Sequence, residues 1–430
     1  MNGIYKKIDN SNIYLISFLP FALAAGPAVI ETIVLIIISL FFFSNKKIKF
    51  HKIDKFLFLI YLYLILISLF SNFVIESLTS SIFLIRFILL YLIIRCYFFS
   101  EYKFKIINLT FFILCIVFII LIIDGYTQYF LKYSIFGTEL TTSERMTMHF
   151  RKDEFIMGSY ISKMMPIFFG LWYLKFKNFN FKINFFLSIL IILTLFCMIL
   201  SNDRVATFLI IALLIGLTLL NKFKVYYKFF LLLTILFSIL ITLTIFPSVK
   251  HRYIDTTLTE LLGKNDHVVL EDVNVLRGKD KKVKNFNFKI YDKNIYLFST
   301  AHEAHIKTAI NMFIHNPFVG IGPNNFRKLC AEKNYGIYEE RGCSTHPHHI
   351  LSQILAETGI IGLFIYLITI IYIISKLIRQ LFLPNLNFNT LLIYSFYFLI
   401  LMPLFPSGNI FNNWYIYSIA LPFLFLKFIK

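Results

Sequence analysis

The sequence predicts an all-α fold: a polytopic membrane protein of about twelve transmembrane helices, with one large periplasmic loop between spans nine and ten. Three observations carry that expectation. Of 430 residues, 58% are hydrophobic and only 15% charged, against 45–50% and about 25% in a typical soluble domain. The apolar residues run in uninterrupted stretches long enough to cross a bilayer. Lys and Arg gather in short strips between those stretches, which is the positive-inside pattern. The net charge of +19 is thereby accounted for, and no nucleic-acid partner is expected.

Residues 13–43 exceed one span and contain Pro20 and the Gly26-Pro27 pair. They predict a tight helical hairpin of about 13–25 and 28–44. Further spans are expected at about 56–72, 79–98, 106–124, 156–174, 183–201, 205–220, 229–247, 359–375, 389–406 and 414–427. Lys46 to Lys55, Lys103 and Lys105, Lys175 to Lys182, Lys222 to Lys228, Lys376 and Arg379, and Lys427 and Lys430 all fall on one side. The short links 25–27, 73–78 and 407–413 carry no Lys or Arg. Both termini are therefore expected in the cytoplasm, with no cleavable signal peptide.

This divides the chain into an N-terminal membrane region 1–247 with an outer loop 125–155, a periplasmic loop domain 248–347, and a C-terminal membrane region 348–430. Lys264 to Lys293 is dense in Lys, Asp and Asn and reads as a mobile insertion. Thr300 to Ile314 reads as a helix with Ala309, Met312 and Phe313 on one side, and His302 and His305 near one another. Cys96, Cys115 and Cys197 lie in spans. Cys330 and Cys343 share the exported loop, an oxidising place in which a disulfide between them is expected.

The chemistry concentrates in Cys343-Ser-Thr-His346-Pro-His348-His349, running on to Gln353, Glu357 and Gly359. Ser344 or Thr345 is a candidate cap for a helix from about Pro347. Such a helix would bury Ile350, Leu351, Ile354 and Leu355 and align His349, Gln353 and Glu357 on another side. Gly359 permits a break before the next span. Imidazoles at a helix mouth beside a membrane suit proton transfer, although capping a helix at the water interface is the plainer alternative. A zinc set of His302, His305, His346, His348 and His349 matches no closed structural spacing and has no completing carboxylate pair, so no metal is assigned.

Arg204, in Ser201-Asn-Asp-Arg204, is the basic residue of the shortest outer link. It either snorkels or turns its planar fork to a phosphate; Arg145 and Arg151 are similar candidates. Arg86, deep in the fourth span, calls for a partner or a cavity, and Glu31 and Glu76 are the candidates.

Two blocks, "NPFVGIGPNNF" and "HPHHILSQILAETGIIG", together resemble the signature of the O-antigen ligase/polymerase superfamily: a His, then Asn, Ser or Gln, nine residues, then Gly-x-x-Gly. The resemblance implies that His348 is the catalytic histidine, with His349 in the Asn/Ser/Gln place. "SNDRVAT" resembles the family's short loop with an essential arginine, here Arg204. "ERMTMHFRKDEFIMGSY" resembles its segment before the sixth span, matching Arg145, Glu154, Gly158 and Ser159, and "FPSGNIFNNW" resembles its last outer loop. His302 and His305 stand where the family often has a second loop arginine.

The resemblance further implies an inverting, metal-independent O-antigen ligase in the bacterial inner membrane, its active site facing the periplasm. The donor would be a glycan on undecaprenyl diphosphate and the acceptor a lipid A–core sugar hydroxyl. Arg204 and Arg145 would hold the diphosphate, and His346, His349, Glu357, His302, His305 and Glu154 would support the base, with no cofactor. A polymerase of the same superfamily is the alternative. A twelve-span transporter fits less well, since it predicts two related halves and a central inner loop.

Overall fold

The computed structural model describes residues 2–137, 145–148, 155–175, 180–220, 225–261, 298–332, 335, 342–383 and 387–428. Among these residues the secondary structure is helical and contains no β-strand. The expected Lys264–Lys293 insertion, Arg151 and Glu154 lie outside the described residues.

The predicted hairpin is formed by α1 (Asn2–Ala25) and α2 (Pro27–Phe42), with Gly26 between them at φ 129°, a backbone that glycine adopts without strain. α1 starts well before residue 13 because its first turns are held from the side: Asn12 donates to the Tyr97 hydroxyl at 3.1 Å, which donates to Asp9 at 2.8 Å. α3 (Lys52–Leu69) follows. The expected span 79–98 is built instead from α4 (Val74–Ile82) and α5 (Ile85–Phe98). Arg86 pairs with Glu31 at 2.8 Å, and Tyr417 donates to the same carboxylate at 3.1 Å. Glu76 goes to Lys328 instead. The intramembrane arginine is thus met by a structural ion pair.

α6 (Lys103–Leu131) runs past the expected end of its span, and α7 (Met157–Lys175) is the central helix, buried almost throughout from Met157 to Leu171. Around it stand α8 (Phe181–Leu200), α9 (Arg204–Leu220), α16 (Phe388–Leu401) and α17 (Asn413–Leu426). Phe168 of α7 packs on Phe111 and Phe118 of α6 with centroids 5.2 and 5.4 Å apart. Outward faces carry exposed apolar groups such as Leu62, Phe112, Phe185, Phe364 and Ile371, as lipid contact requires. Among the described residues, four stretches can cross a membrane by length and composition: Val74–Phe98, Lys103–Leu131, Phe181–Leu200 and Ile350–Phe382. Four shorter apolar helices accompany them.

After α10 (Val225–Ile245) the chain bends by 108°. It passes through α11 (Pro247–Lys250), one π-helical turn (His251–Asp255) and α12 (Thr256–Leu261). α13 (Thr300–His315) is the helix expected from the pattern at 300–314; it buries Ala304, Thr308, Ala309 and Met312. α14 (Phe326–Leu329) is a single turn, and Cys330 after it is bonded to Cys343.

α15 (Ile350–Phe382) breaks at Gly359, where φ is 64° and ψ −162°. A break strips the preceding turn of intrahelical donors. The Asn316–Gly322 turn replaces them: Ile321 N donates to Ala356 O at 2.8 Å and Gly322 N to Glu357 O at 3.2 Å, while Ile360 N returns to Pro317 O at 2.8 Å. A Cβ on Gly320 would lie 2.6 Å from Ala356 O. The two family-like blocks are therefore one interlocked backbone unit, and its glycines are sites of close approach.

Candidate functional site

The helix expected from Pro347 begins at Ile350. Its cap is His349, not Ser344 or Thr345: the His349 ring accepts from Ser352 N at 3.3 Å. Pro347 and His348 stand outside it, with His348 in the left-handed region at φ 56°. A β-substituted residue there stores strain, which the surroundings must hold in place. Ser407 supplies part of that hold, its N–H donating to His348 O at 2.9 Å.

The buried face of the helix also differs from expectation. Ser352, Gln353, Ala356, Glu357 and Thr358 turn inward with Ile350, while Leu351, Ile354 and Leu355 are only partly buried. In water the apolar stripe would seek the core; beside lipid the polar stripe does, because its groups need partners. Glu357 accepts from Phe326 N at 3.0 Å and from Gln353 at 2.9 Å. Gln353 also donates to Asn409 at 2.7 Å and accepts from Ile410 N at 3.2 Å. The stripe thus ties the 316–326 turn and the 407–413 loop to the histidine turn.

Four imidazoles meet above this platform. The His348 ring centroid lies 3.9 Å from that of His346, 5.2 Å from His302 and 5.5 Å from His305. Their hydrogen bonds separate them. His346 Nε2 meets the carbonyl of Ser407 at 3.1 Å, and His349 Nε2 that of Pro403 at 3.0 Å. A carbonyl only accepts, so both nitrogens carry their protons and both tautomers are fixed. His302 Nδ1 lies 2.8 Å from Ser299 Oγ. His348 Nε2 contacts the hydroxyl of Ser344 at 3.0 Å, which can donate or accept. His346 Nδ1 likewise meets only a hydroxyl, that of Thr345 at 3.0 Å, but among the described residues His348 is the one histidine of the turn whose ring makes no hydrogen bond to the backbone.

Burial, then the neighbouring imidazoles His346, His302 and His305, push the His348 pKa down to about 2. His346 is held near 4, first by burial, and His305 likewise, by burial and then His302. The cluster is therefore neutral at pH 7. Among the described residues, no three His, Cys, Asp or Glu side chains are disposed to hold a metal ion.

A set of cations stands beside it. Arg204, the first residue of α9, donates to Thr257 at 2.9 Å and pairs with Glu260 at 3.0 Å. His302 is close enough to feel both charges of that pair. Arg145 lies over the Phe155 ring at 5.1 Å, with its Nε buried and unbonded among the described residues. Arg252, in the π-helical turn, feels the charges of Arg204 and Arg145 and also has a buried, unbonded Nε. Sequence reasoning missed Arg252 and Glu260, although a basic and an acidic residue spaced two helical turns apart after Pro247 were there to be read.

The fold and site define an all-α membrane protein in which a half-buried histidine cluster stands beside Arg204 and its neighbouring arginines. Residues 189–367 match the family model described as O-antigen ligase, and over that segment the likeness to the O-antigen ligase superfamily is borne out. The match spans Arg204, Arg252, Glu260, His302, His305, His348 and Glu357; Arg145 and Asn409 lie outside it. No curated protein matches the chain. The match over residues 189–367 and the apolar helices point to a bacterial membrane protein, and the matched segment to O-antigen ligase or polymerase type.

Proposed function

We propose that this protein is an O-antigen ligase of glycosyltransferase type, moving a glycan from undecaprenyl diphosphate to a lipid A–core sugar hydroxyl on the periplasmic face of the inner membrane. One observation carries this reading: His348, whose ring makes no bond to the backbone, shares a cluster with His302, which feels the Arg204–Glu260 pair. A poor nucleophile and an anionic leaving group are thereby served from one place.

In this mechanism the acceptor hydroxyl oxygen forms the new bond to the anomeric carbon as the bond from that carbon to the phosphate oxygen breaks. His348 takes the hydroxyl proton, and the diphosphate leaves with the bonding electron pair. Arg204, Arg145 and Arg252 stabilise its developing charge. Direct displacement inverts the anomeric centre, and these residues account for the step without a metal. A base with so low a pKa is weak in isolation; the nearby diphosphate charge raises it as donor binds. His346 and His349 hold the turn, and His302 and His305 wall the base.

The lipopolysaccharide profile of a deletion strain tests the reading. A ligase predicts loss of all glycan-capped forms with lipid-linked polymer accumulating. Forms capped by a single repeat instead identify a polymerase.

A further inference from the structure

Residues 145–148 lie between α6 and the 201–203 link, with no strand beside them among the described residues to meet their backbone polar groups, which burial makes costly to leave unpaired. Gln128, fully buried near the end of α6, meets them. Its Oε1 accepts from Thr147 N at 3.0 Å, and its Nε2 donates to Thr147 O at 3.0 Å. One primary amide thus pairs with both backbone groups of a single residue, as a neighbouring strand would.

That amide is itself fixed. Asp124, also fully buried, accepts from Gln128 Nε2 at 2.8 Å, while its other oxygen accepts from Ser134 Oγ at 2.7 Å and Ile135 N at 2.9 Å. A carboxylate can only accept here, so it dictates which end of the Gln128 amide faces it, and hence which end faces Thr147 N. Next to Thr147, Met146 N donates to Ser201 O at 3.4 Å, in the link that leads to Arg204. That link is held from its other side, where a Cβ on Gly158 would lie 2.6 Å from Ser201 Oγ and Asp203 Cβ.

We infer that Gln128, oriented by Asp124, is a positioning residue that sets Arg145 in register with Arg204, so that the two arginines receive one diphosphate together. This rests on the proposed role of Arg145. Fully buried polar groups are costly unless hydrogen-bonded, these are bonded to one another and to Thr147, and Arg145 is only two residues from the clasped Thr147. Core cohesion alone would equally use this hydrogen-bond set, so the test separates the two.

The test is a double-mutant cycle on the full chain in detergent, reading the Kd of undecaprenyl diphosphate, with thermal melting as a control. Gln128→Met keeps the shape and removes the bonds to Thr147 and to Asp124. It is expected to weaken binding about tenfold, within the range of such couplings. In an Arg145→Ala background it should weaken binding less than about twofold further, since its effect passes through that arginine. Losses that multiply in the double variant, or wild-type binding by Gln128→Met, overturn the clasp. Wild-type binding by Arg145→Ala overturns the role of Arg145 itself and the clasp with it, so the two failures are distinguishable. Asp124→Asn, which keeps the Gln128 amide but no longer dictates which end of it faces Thr147, runs the same cycle if Gln128→Met melts too low.

Discussion

Arg204 and Glu260 form an ion pair at 3.0 Å, with both side chains about a quarter exposed. The guanidinium is thereby presented with its fork already oriented, and Thr257 holds its other nitrogen at 2.9 Å. An anion arriving at Arg204 meets the Glu260 carboxylate as a competitor. Glu260→Gln, which keeps the shape and removes that charge, is expected to tighten undecaprenyl diphosphate binding several-fold and to slow its release. Unchanged or weaker binding would show that Glu260 does not border the anion.

Arg204→Lys retains the charge but not the planar fork. If Arg204 grips two phosphate oxygens at once, the variant should lose most transfer activity while inserting normally. Equal activity from Lys would make Arg204 an anchor of the outer link and no more.

Helix positions were largely legible in the sequence, because apolar length and the glycines and prolines at 26, 27 and 359 are local features. The facing of the 350–358 helix was misread: amphipathic patterning assumes water outside and oil within, whereas here the polar stripe is the one that needs protein. The cap moved to His349 because an imidazole nitrogen can accept from Ser352 N as a hydroxyl would. His348, Arg204 and Arg145 stood out by motif. Glu260, Arg252, Gln128 and Asp124 did not: the spacing within each pair is in the sequence, but Arg204 and Thr147, which give those pairs their meaning, lie on other elements. Glu76, a candidate partner of Arg86, proved to serve Lys328.

Acid should loosen the site. His305 and His346 are held near pH 4 by burial, below the ordinary value of about 6.5. The unfolded chain therefore binds protons that the folded chain refuses. Stability from this source is full above about pH 6.5 and is lost as pH falls toward 4. Melting of the purified protein should drop by several degrees between pH 7.5 and 5, and less in His305→Asn or His346→Asn. A melting temperature that is flat or rises on acidification contradicts the burial account.

Cys330 and Cys343 are joined beside the approach to His346. Closing so short a loop contributes on the order of 3 kcal/mol in the chain-entropy model. Protein kept in its native membrane should resist alkylation at both positions until reductant is added. Two free thiols without reductant would refute the bond.

The most direct test of the account is glycan transfer in vitro by His348→Ala, from purified lipid-linked donor to lipid A–core acceptor. The variant should fold, bind donor, and lose about 10²–10⁴-fold in rate, the usual scale for one general base. His349→Asn should be tolerated if the Asn side chain still caps α15, and His346→Ala should cost less than His348→Ala. Near wild-type transfer by His348→Ala would contradict the central claim that this histidine takes the acceptor's proton.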